Sequence, residues 1–453
     1  MLANILIKRF SRLIFLLALL SRQDAFSQEK ELVGEFEQYV RPYAETNNFS
    51  GRILISRKGK ILFNRAYGFA NLEFGVPNDL NTVFHIASLT KTFTAGAVLI
   101  LEQKGLLATD DFISKYIPDY PSGNKITVHH LLSHTSGIPE INDLPAYDTA
   151  SLEQQTPETL VGLFKNKPLE FPPGEKYQYS NSNYALLALI IEKVSKKKYG
   201  DFLRENIFEP LGMSRTFVHD NMKRIVNMMA EGYAPDGKFG SQKADYLDWS
   251  SKTGSGSVVA TADDLAKWNT ALFGTAILSD KSKTKVFTKH VESGYGWYIG
   301  RQFDKNFIYM NGRAPGFCAH MARYPEEEVF IIVLSNMGVY TPRQIAADLA
   351  AILFHQTVEV PALTRKLTDE ESTQLTGKYK FGADFYKSNF TLEVTLQDGK
   401  LSSNYGELIP GNKSLQFFQR SYWLKVAFTK DAAGKINGVT VDGYRGERVE
   451  SGK

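Results

Sequence analysis

The chain has 453 residues, 43% of them hydrophobic, 12% aromatic and 23% charged, with a formal charge of +4. That length exceeds what one hydrophobic core usually supports and predicts a large domain with a smaller one, while the apolar fraction excludes a mainly disordered chain. The single cysteine, Cys318, excludes an internal disulfide framework and any cysteine-based zinc cluster.

Lys8, Arg9, Arg12 and Arg22 crowd into the first 27 residues against one acid, Asp24. The remainder is therefore nearly neutral and gives no reason to expect a nucleic-acid partner. Three of these basic residues precede an apolar run at 13–20 and a small-residue site at Ala25-Phe26-Ser27, the order of a cleaved export signal. The run is too short for a bilayer, which takes about 20 apolar residues. An amphipathic surface helix or an uncleaved anchor is the other reading of this segment. We expect residues 1–27 to be a signal peptide, the mature chain to lack a membrane span, and the protein to be periplasmic or secreted.

Residues 30–48 read as a helix. The runs 51–56 and 61–63 around Lys58-Gly59 read as a β-hairpin. Good helix formers fill 88–103, with Gly105 where a C-cap belongs. A short helix is expected over 127–134, ending near Gly137. A stronger one covers 183–198, with Leu186, Leu187, Ile190, Ile191 and Val194 on one face and Gly200 beyond its end. Another follows at 263–273. Strand patterns at 294–300, 317–324 and 329–335 lead to a helix over 342–355, with Pro342 in its first turn. No βαβ alternation is present. The expected fold is α/β of the α+β type: an antiparallel sheet flanked by helices, with an inserted helical lobe, over residues 28–357. A linker around Pro361 (358–366) leads to residues 367–453. Short strands at 377–380, 390–396, 415–418, 422–428 and 438–441, with turns at Asp398-Gly399 and Ala433-Gly434, predict a small all-β barrel there. This tail has no titratable cluster and reads as a structural or docking module.

Chemistry concentrates in three places. In Ser88-Leu89-Thr90-Lys91, positions i and i+3 share a helix face, so the amine can reach the hydroxyl. A lysine kept neutral by burial can accept the serine proton, and the helix N-terminus supplies N–H groups for an oxyanion. The spacing alone selects nothing, since it recurs at Ser27/Lys30, Ser122/Lys125, Ser195/Lys198 and Ser282/Lys285. Context separates Ser88, because it follows Phe84-His85-Ile86-Ala87 and opens an apolar helix. Tyr179-Ser180-Asn181 lies between Pro172-Pro173-Gly174 and the strong helix, where a phenol can relay a proton and an amide can hold a substrate or orient the lysine. A capping Ser-Asn beside a core tyrosine is the plainer reading. Asn311-Gly312-Arg313-Ala314-Pro315-Gly316-Phe317 is a Gly-rich strand edge whose backbone can approach a ligand closely. His130 and His134 read as a packed helix end rather than metal ligands, Gly254-Ser255-Gly256 as a flexible loop, and Cys318 as a buried small hydrophobe.

In this order, Ser88-x-x-Lys91, Tyr179-x-Asn181 and the Gly-Arg-Ala-Pro-Gly-Phe strand resemble the β-lactamase-related serine hydrolases. That family includes class C β-lactamases, D-alanyl-D-alanine carboxypeptidases and penicillin-recognising esterases. His130–Ile138, Pro173-Gly174-Glu175 and Ile207–Met213 support the resemblance, which spans about residues 30–355. The tail is similar to the lipocalin-like appendages of some members. The resemblance implies Ser88 as acylated nucleophile, Lys91 and Tyr179 as proton-transfer groups, and Asn181, Asn311, Gly312 and Arg313 as substrate contacts. The backbone N–H groups of Ser88 and Arg313 would form the oxyanion hole. It implies a small-molecule or peptide substrate and no metal or organic cofactor; it leaves the oligomeric state open. One position departs: members usually carry Lys or His where this chain has Met310, which cannot attract a substrate carboxylate. An exported hydrolase of a β-lactam, D-Ala peptide or ester is thus expected. The alternative is a penicillin- or peptidoglycan-binding sensor without turnover.

Overall fold

The computed structural model describes residues 29–449, so the signal peptide expected at 1–27 lies outside the described residues. Helix α1 covers residues 29–45. The hairpin forms as β1 (Gly51–Arg57) and β2 (Lys60–Tyr67), turning through Lys58 and Gly59 at φ 51° and 73°. Two successive positive φ values match the twist of the flanking strands.

Four more strands complete an antiparallel sheet: β3 (Tyr298–Gln302), β4 (Lys305–Ala314), β5 (Phe317–Tyr324) and β6 (Val329–Ser335), in the order β3-β4-β5-β6-β1-β2. The hairpin joins the later strands where β1 pairs with β6, from Gly51↔Ser335 to Arg57↔Val329. Every residue of β5 and β6 is buried. Helix α1 and a C-terminal helix covering Pro342–Leu353 close one face through Phe36, Tyr39, Ile345 and Leu349, and the helical lobe closes the other. Burial on both faces explains the unbroken apolar run of β6; each fully buried Val, Ile, Leu or Phe contributes roughly 1.5–3 kcal/mol.

The strand expected at 294–300 lies further on. Gly294–Trp297 forms a loop, with Gly296 at φ 75°, where a Cβ would stand 2.6 Å from the Lys91 carbonyl oxygen. Close packing against the neighbouring helix, rather than local apolarity, decides that boundary. Strand β4 itself was not anticipated beyond its Gly-rich end, because polar Lys305, Asn306, Asn311 and Arg313 dilute its pattern.

Within the lobe, α2 (Thr90–Gln103) runs through the centre and is buried from Thr90 to Leu101. It starts later than the sequence suggests, since Ala87–Leu89 forms a 3₁₀ turn ahead of it. Gly105, at φ 68°, ends it as expected. The helix α3 (Asn181–Ser195) stops earlier than expected, at Lys196, which itself takes the left-handed cap at φ 59°.

Beyond residue 376, eight strands from Gly377–Phe381 to Tyr444–Val449 close into a barrel, the last pairing with the first through Lys378↔Val449. Tyr379, Leu392, Leu401, Phe417, Phe428 and Val439 fill its interior. Lys400–Ser403 and Tyr444–Val449 were not legible as strands, being short and mostly polar. The barrel docks on the sheet domain. Arg420, 1% exposed, pairs with Glu407 at 3.0 Å and donates to Asn48 Oδ1 at 3.0 Å. Trp423 packs on Tyr43 with ring centroids 5.5 Å apart.

Candidate active site

Between Thr82 and Leu101, every residue except Ser88 is buried. The 3₁₀ turn produces this exposure. Ala87 takes φ 46°, an uncommon conformation for a residue with a Cβ, and lifts Ser88 out of the apolar run just before α2 begins. Gly312 lets β4 press against the same turn, since a Cβ there would stand 2.3 Å from the Ile86 carbonyl oxygen. The close backbone approach expected at this glycine is thus made to the Ser88 turn.

Lys91 lies one turn along, fully buried, and meets Ser88 as the spacing predicts. Its Nζ is 3.0 Å from Ser88 Oγ, 2.7 Å from Asn181 Oδ1 and 2.8 Å from the Ser255 carbonyl oxygen. Two of these partners can only accept. A neutral amine has two N–H bonds for them and one lone pair left, directed at a hydroxyl that can donate. Burial pushes the Lys91 amine down to about 7, opposed by a smaller upward pull from Glu140 and aided by a smaller downward push from Lys252. Burial thus brings the neutral amine, with its lone pair on Ser88 Oγ, within reach at neutral pH.

Tyr179 Oη is 2.8 Å from Ser88 Oγ and 3.4 Å from Asn181 Oδ1. Burial raises its phenol well above the usual range, and the hydrogen bond to Ser88 offsets only part of that. The phenol therefore keeps its proton at neutral pH and can hand it on when another is supplied. His134 stacks on Tyr179 with ring centroids 4.6 Å apart, and its Nδ1 accepts from Ser180 N–H at 3.1 Å, fixing the turn that carries the tyrosine. Burial holds this imidazole neutral.

Asn181 opens α3, where Glu140 replaces the usual side-chain cap. Its carboxylate accepts from the Asn181 backbone N–H at 2.5 Å and from Nδ2 at 2.9 Å. A carboxylate at a helix N-terminus satisfies an orphan donor and complements the macrodipole. Because Nδ2 is committed to Glu140, Oδ1 must face Lys91.

Ser88, Lys91, Tyr179 and Asn181 thus come together as one hydrogen-bonded group, with Gly312 against its turn. Asn311 and Arg313 alternate onto the other face of β4. Asn311 Oδ1 lies 2.6 Å from Nδ1 of the buried His320. Along β4, strand β3 pairs with Lys305–Tyr309, so among the described residues Met310–Ala314 has a strand partner on one side only. Met310 is 3% exposed and shares a small void with Tyr179 and His134. A cleft of about 640 Å³ opens beside Tyr179, lined by Tyr177, Tyr298, Tyr309, His320 and Arg343. A second cavity, of about 530 Å³, lies at the barrel seam among Phe239, Leu363, Leu401 and Ile409, away from the serine.

Sequence reasoning missed Glu140, Ser255 and the supporting role of His134. Glu140 has no telling spacing to either motif, and Ser255 acts through a backbone carbonyl, which no residue type announces. The expectation of a flexible loop at Gly254-Ser255-Gly256 is corrected: all three residues are buried. A Cβ on Gly254 would stand 2.2 Å from the Tyr184 carbonyl oxygen. Among the described residues, no group of three or more His, Cys, Asp or Glu could hold a metal ion, and no helix is long and apolar enough to cross a membrane.

Comparison with known proteins agrees with this architecture. The model of the family described as Beta-lactamase matches residues 36–355. Penicillin-binding protein 4* of Bacillus subtilis (strain 168) is 30% identical over 421 residues, covering 86% of this chain and 92% of that protein. The octameric penicillin-binding protein homologue from Pyrococcus abyssi superposes with a TM-score of 0.68 at 26% identity, covering 91% of this chain and 99% of its own. The D-amino acid amidase from Ochrobactrum anthropi SV3, complexed with D-phenylalanine, shares the fold at a TM-score of 0.64 and 23% identity, over 71% of this chain and 99% of its own. Fold and relatives together define the class as serine hydrolases and acyl-transferases of the β-lactamase and transpeptidase type. The chain belongs to the Beta-lactamase family.

Proposed function

We propose that the protein is an exported serine hydrolase that cleaves an ester or amide, of β-lactam, D-Ala peptide or simple ester type, through an acyl-enzyme on Ser88. The observation that carries this reading is the pair of contacts at Ser88 Oγ, to Lys91 Nζ at 3.0 Å and Tyr179 Oη at 2.8 Å. The neutral Lys91 amine takes the Ser88 proton as Oγ attacks the substrate carbonyl. The carbonyl oxygen becomes negative and is held by the backbone N–H groups of Ser88 and Arg313. Collapse of this intermediate expels the leaving group, which takes a proton from Tyr179, and the Lys91 ammonium reprotonates the phenol. Water then attacks the ester at Ser88, the same groups carry its proton, and the acid product leaves. The penicillin-binding relatives and the basic N-terminal segment support an exported enzyme.

Met310 favours a second reading, a sensor that is acylated but does not turn over. One experiment separates the two. Wild-type and Ser88→Ala proteins are assayed on a p-nitrophenyl ester, a chromogenic cephalosporin and a D-Ala-D-Ala peptide, and their masses are measured after treatment with a fluorophosphonate or a penem. A Ser88 adduct with turnover is expected. An adduct without turnover on any substrate selects the sensor, and a folded protein with no adduct at Ser88 removes both readings.

A further inference from the structure

A second lysine stands among the supports of Lys91, and the chemistry at Ser88 does not use it. Lys252 ends a 3₁₀ turn at Trp249–Lys252 and is half-buried. Its Nζ donates to Asn142 Oδ1 at 2.7 Å and lies 4.7 Å over the ring of Tyr147. Among the described residues, no carboxylate lies within ion-pair distance of it. Lysines withdrawn from water are normally paired with an acid, whereas this one has an amide and a ring.

Both ends of the residue lead to Lys91. At the backbone, the Lys252 carbonyl oxygen accepts from the N–H groups of Ser255 and Gly256 at 3.0 and 2.7 Å. That turn presents the Ser255 carbonyl oxygen to Lys91 Nζ at 2.8 Å. At the tip of the side chain, Asn142 lies in the turn Ile141–Asp143, and its backbone N–H donates to Glu140 Oε1 at 3.0 Å. Glu140 in turn holds the Asn181 amide, whose Oδ1 meets Lys91 Nζ at 2.7 Å. The hydrogen bonds therefore close a circuit from Lys91 through Asn181, Glu140, Asn142, Lys252 and Ser255 back to Lys91. Both groups that can only accept from Lys91 belong to it.

Other contacts already anchor the segment that carries Lys252. Tyr147 Oη donates to the Ser251 carbonyl oxygen at 3.2 Å, Asp248 N–H to the Ser151 carbonyl oxygen at 2.9 Å, and Gln155 N–H to Ser250 Oγ at 2.7 Å. What the lysine adds is the link to the Glu140 turn and a positive charge.

We infer that Lys252 is a positioning residue for Lys91: it clips together the two turns that hold the Lys91 amine and places a positive charge beside it. The inference rests on the proposed role of Lys91 as proton acceptor. Two like charges in one poorly solvated region repel, so a proton on Lys252 keeps the neighbouring amine free. The groups facing Lys91 are Glu140 and Lys252, the Tyr179 and Tyr184 rings at 4.9 and 5.5 Å, and the neutral His134. Lys252 is faced by Glu140 and Tyr147, and burial brings its amine down to about 8. With Lys91 at about 7, the pair holds one proton between about pH 7 and 8, and that proton resides on Lys252.

The test follows the protonation of Lys91 with and without turnover. In protein isotope-labelled at lysine Cε, the Lys91 signal, assigned by its loss in Lys91→Met, titrates with the amine and needs no substrate. The acid limb of kcat/KM for a neutral p-nitrophenyl ester reads the same group in turnover. Lys252→Met should raise both by about half a unit to one unit, less than the opposite change in Glu140→Gln, the stronger of the two neighbouring charges. It should also lower kcat on the alkaline plateau about threefold, as the turns lose their clip. Lys252→Arg, which keeps the charge, should leave the titration within about 0.3 unit of wild type. Asn142→Ala, which breaks the clip and keeps the charge, should leave the titration equally close and lower the plateau about threefold. A Lys91 titration that stays or falls in Lys252→Met, an equal rise in Lys252→Arg, or an unchanged plateau in both Lys252→Met and Asn142→Ala would overturn the inference. The expected titrations without ester turnover would remove the Ser88 chemistry alone, whereas turnover with no response to Lys252→Met would remove this inference alone.

Discussion

Replacing Glu140 by Gln tests the electrostatics of the site without touching the groups in contact with Ser88. The two are linked through one amide: Glu140 Oε1 to Asn181 Nδ2 at 2.9 Å, and Asn181 Oδ1 to Lys91 Nζ at 2.7 Å. That chain keeps the carboxylate within roughly 8 Å of the amine, where a charge pair at an effective dielectric of ~20 is worth about 2 kcal/mol, or about 1.5 pKa units. The carboxylate favours the ammonium, so removing its charge lowers the Lys91 pKa further from its present value of about 7. In the proposed mechanism the active form is the neutral amine, so activity should be lost as pH falls through that value. In wild type, kcat/KM for a neutral p-nitrophenyl ester should decline below about pH 7, and in Glu140→Gln the decline should move about 1 to 1.5 units lower. Lys252→Met should move it the other way, because the Lys252 cation depresses Lys91. Measurement of kcat/KM from pH 5 to 9, with melting curves to verify folding, decides the matter. An acid limb that stays in place or moves upward in Glu140→Gln would refute Lys91 as the proton acceptor.

Three further outcomes follow from the same contacts. Lys91→Met should slow fluorophosphonate labelling of Ser88 by about 10²–10⁴-fold, read from intact mass against time; a loss under tenfold would assign the proton to Tyr179. Gly312→Ala puts a Cβ 2.3 Å from the Ile86 carbonyl oxygen and 3.2 Å from Leu89, so the Ser88 turn must shift. A stability loss of about 1–3 kcal/mol, with reduced kcat, should appear in denaturant titration and ester assays, whereas unchanged activity would show that β4 does not brace the turn. Glu407→Gln strands the charge of Arg420 in a pair whose side chains are each 1% exposed. It should cost about 3–5 kcal/mol, while replacing both residues by Leu and Met should cost much less. A loss below about 1 kcal/mol for the single change would mean that water reaches the seam.

The parts of this protein legible from sequence are those in which local chemistry and tertiary structure agree. The Lys58-Gly59 hairpin follows from turn residues between two β-rich runs. Helix α2 follows from its run of helix formers and α3 from its 3.6-residue apolar period, and the Ser88–Lys91 contact follows from i, i+3 geometry on one turn. The barrel was visible as a texture of short runs and turn pairs, although Lys400–Ser403 and Tyr444–Val449 carry too few apolar residues to register alone. Strand β4 lacks a clear pattern because one of its faces carries Lys305, Tyr309, Asn311 and Arg313, so polar side chains stand where an apolar repeat would otherwise show.

The order of residues was enough to single out Ser88 and Lys91 as one candidate pair, Tyr179 and Asn181 as another, and an α+β body distinct from a β-rich tail. Within each pair the partners are close in the chain, where bond geometry limits what can meet, whereas the meeting of the two pairs across about 90 residues is a product of the fold. Folding alone brings Glu140 onto Asn181, the Ser255 carbonyl onto a proton position of Lys91, and Tyr422 of the barrel against Arg313. These partners are separated by about 40 to 160 residues, and one of them acts through its backbone. The protonation state of Lys91 belongs with them, because it comes from complete removal from water, and burial depends on everything packed around the residue rather than on its neighbours in sequence.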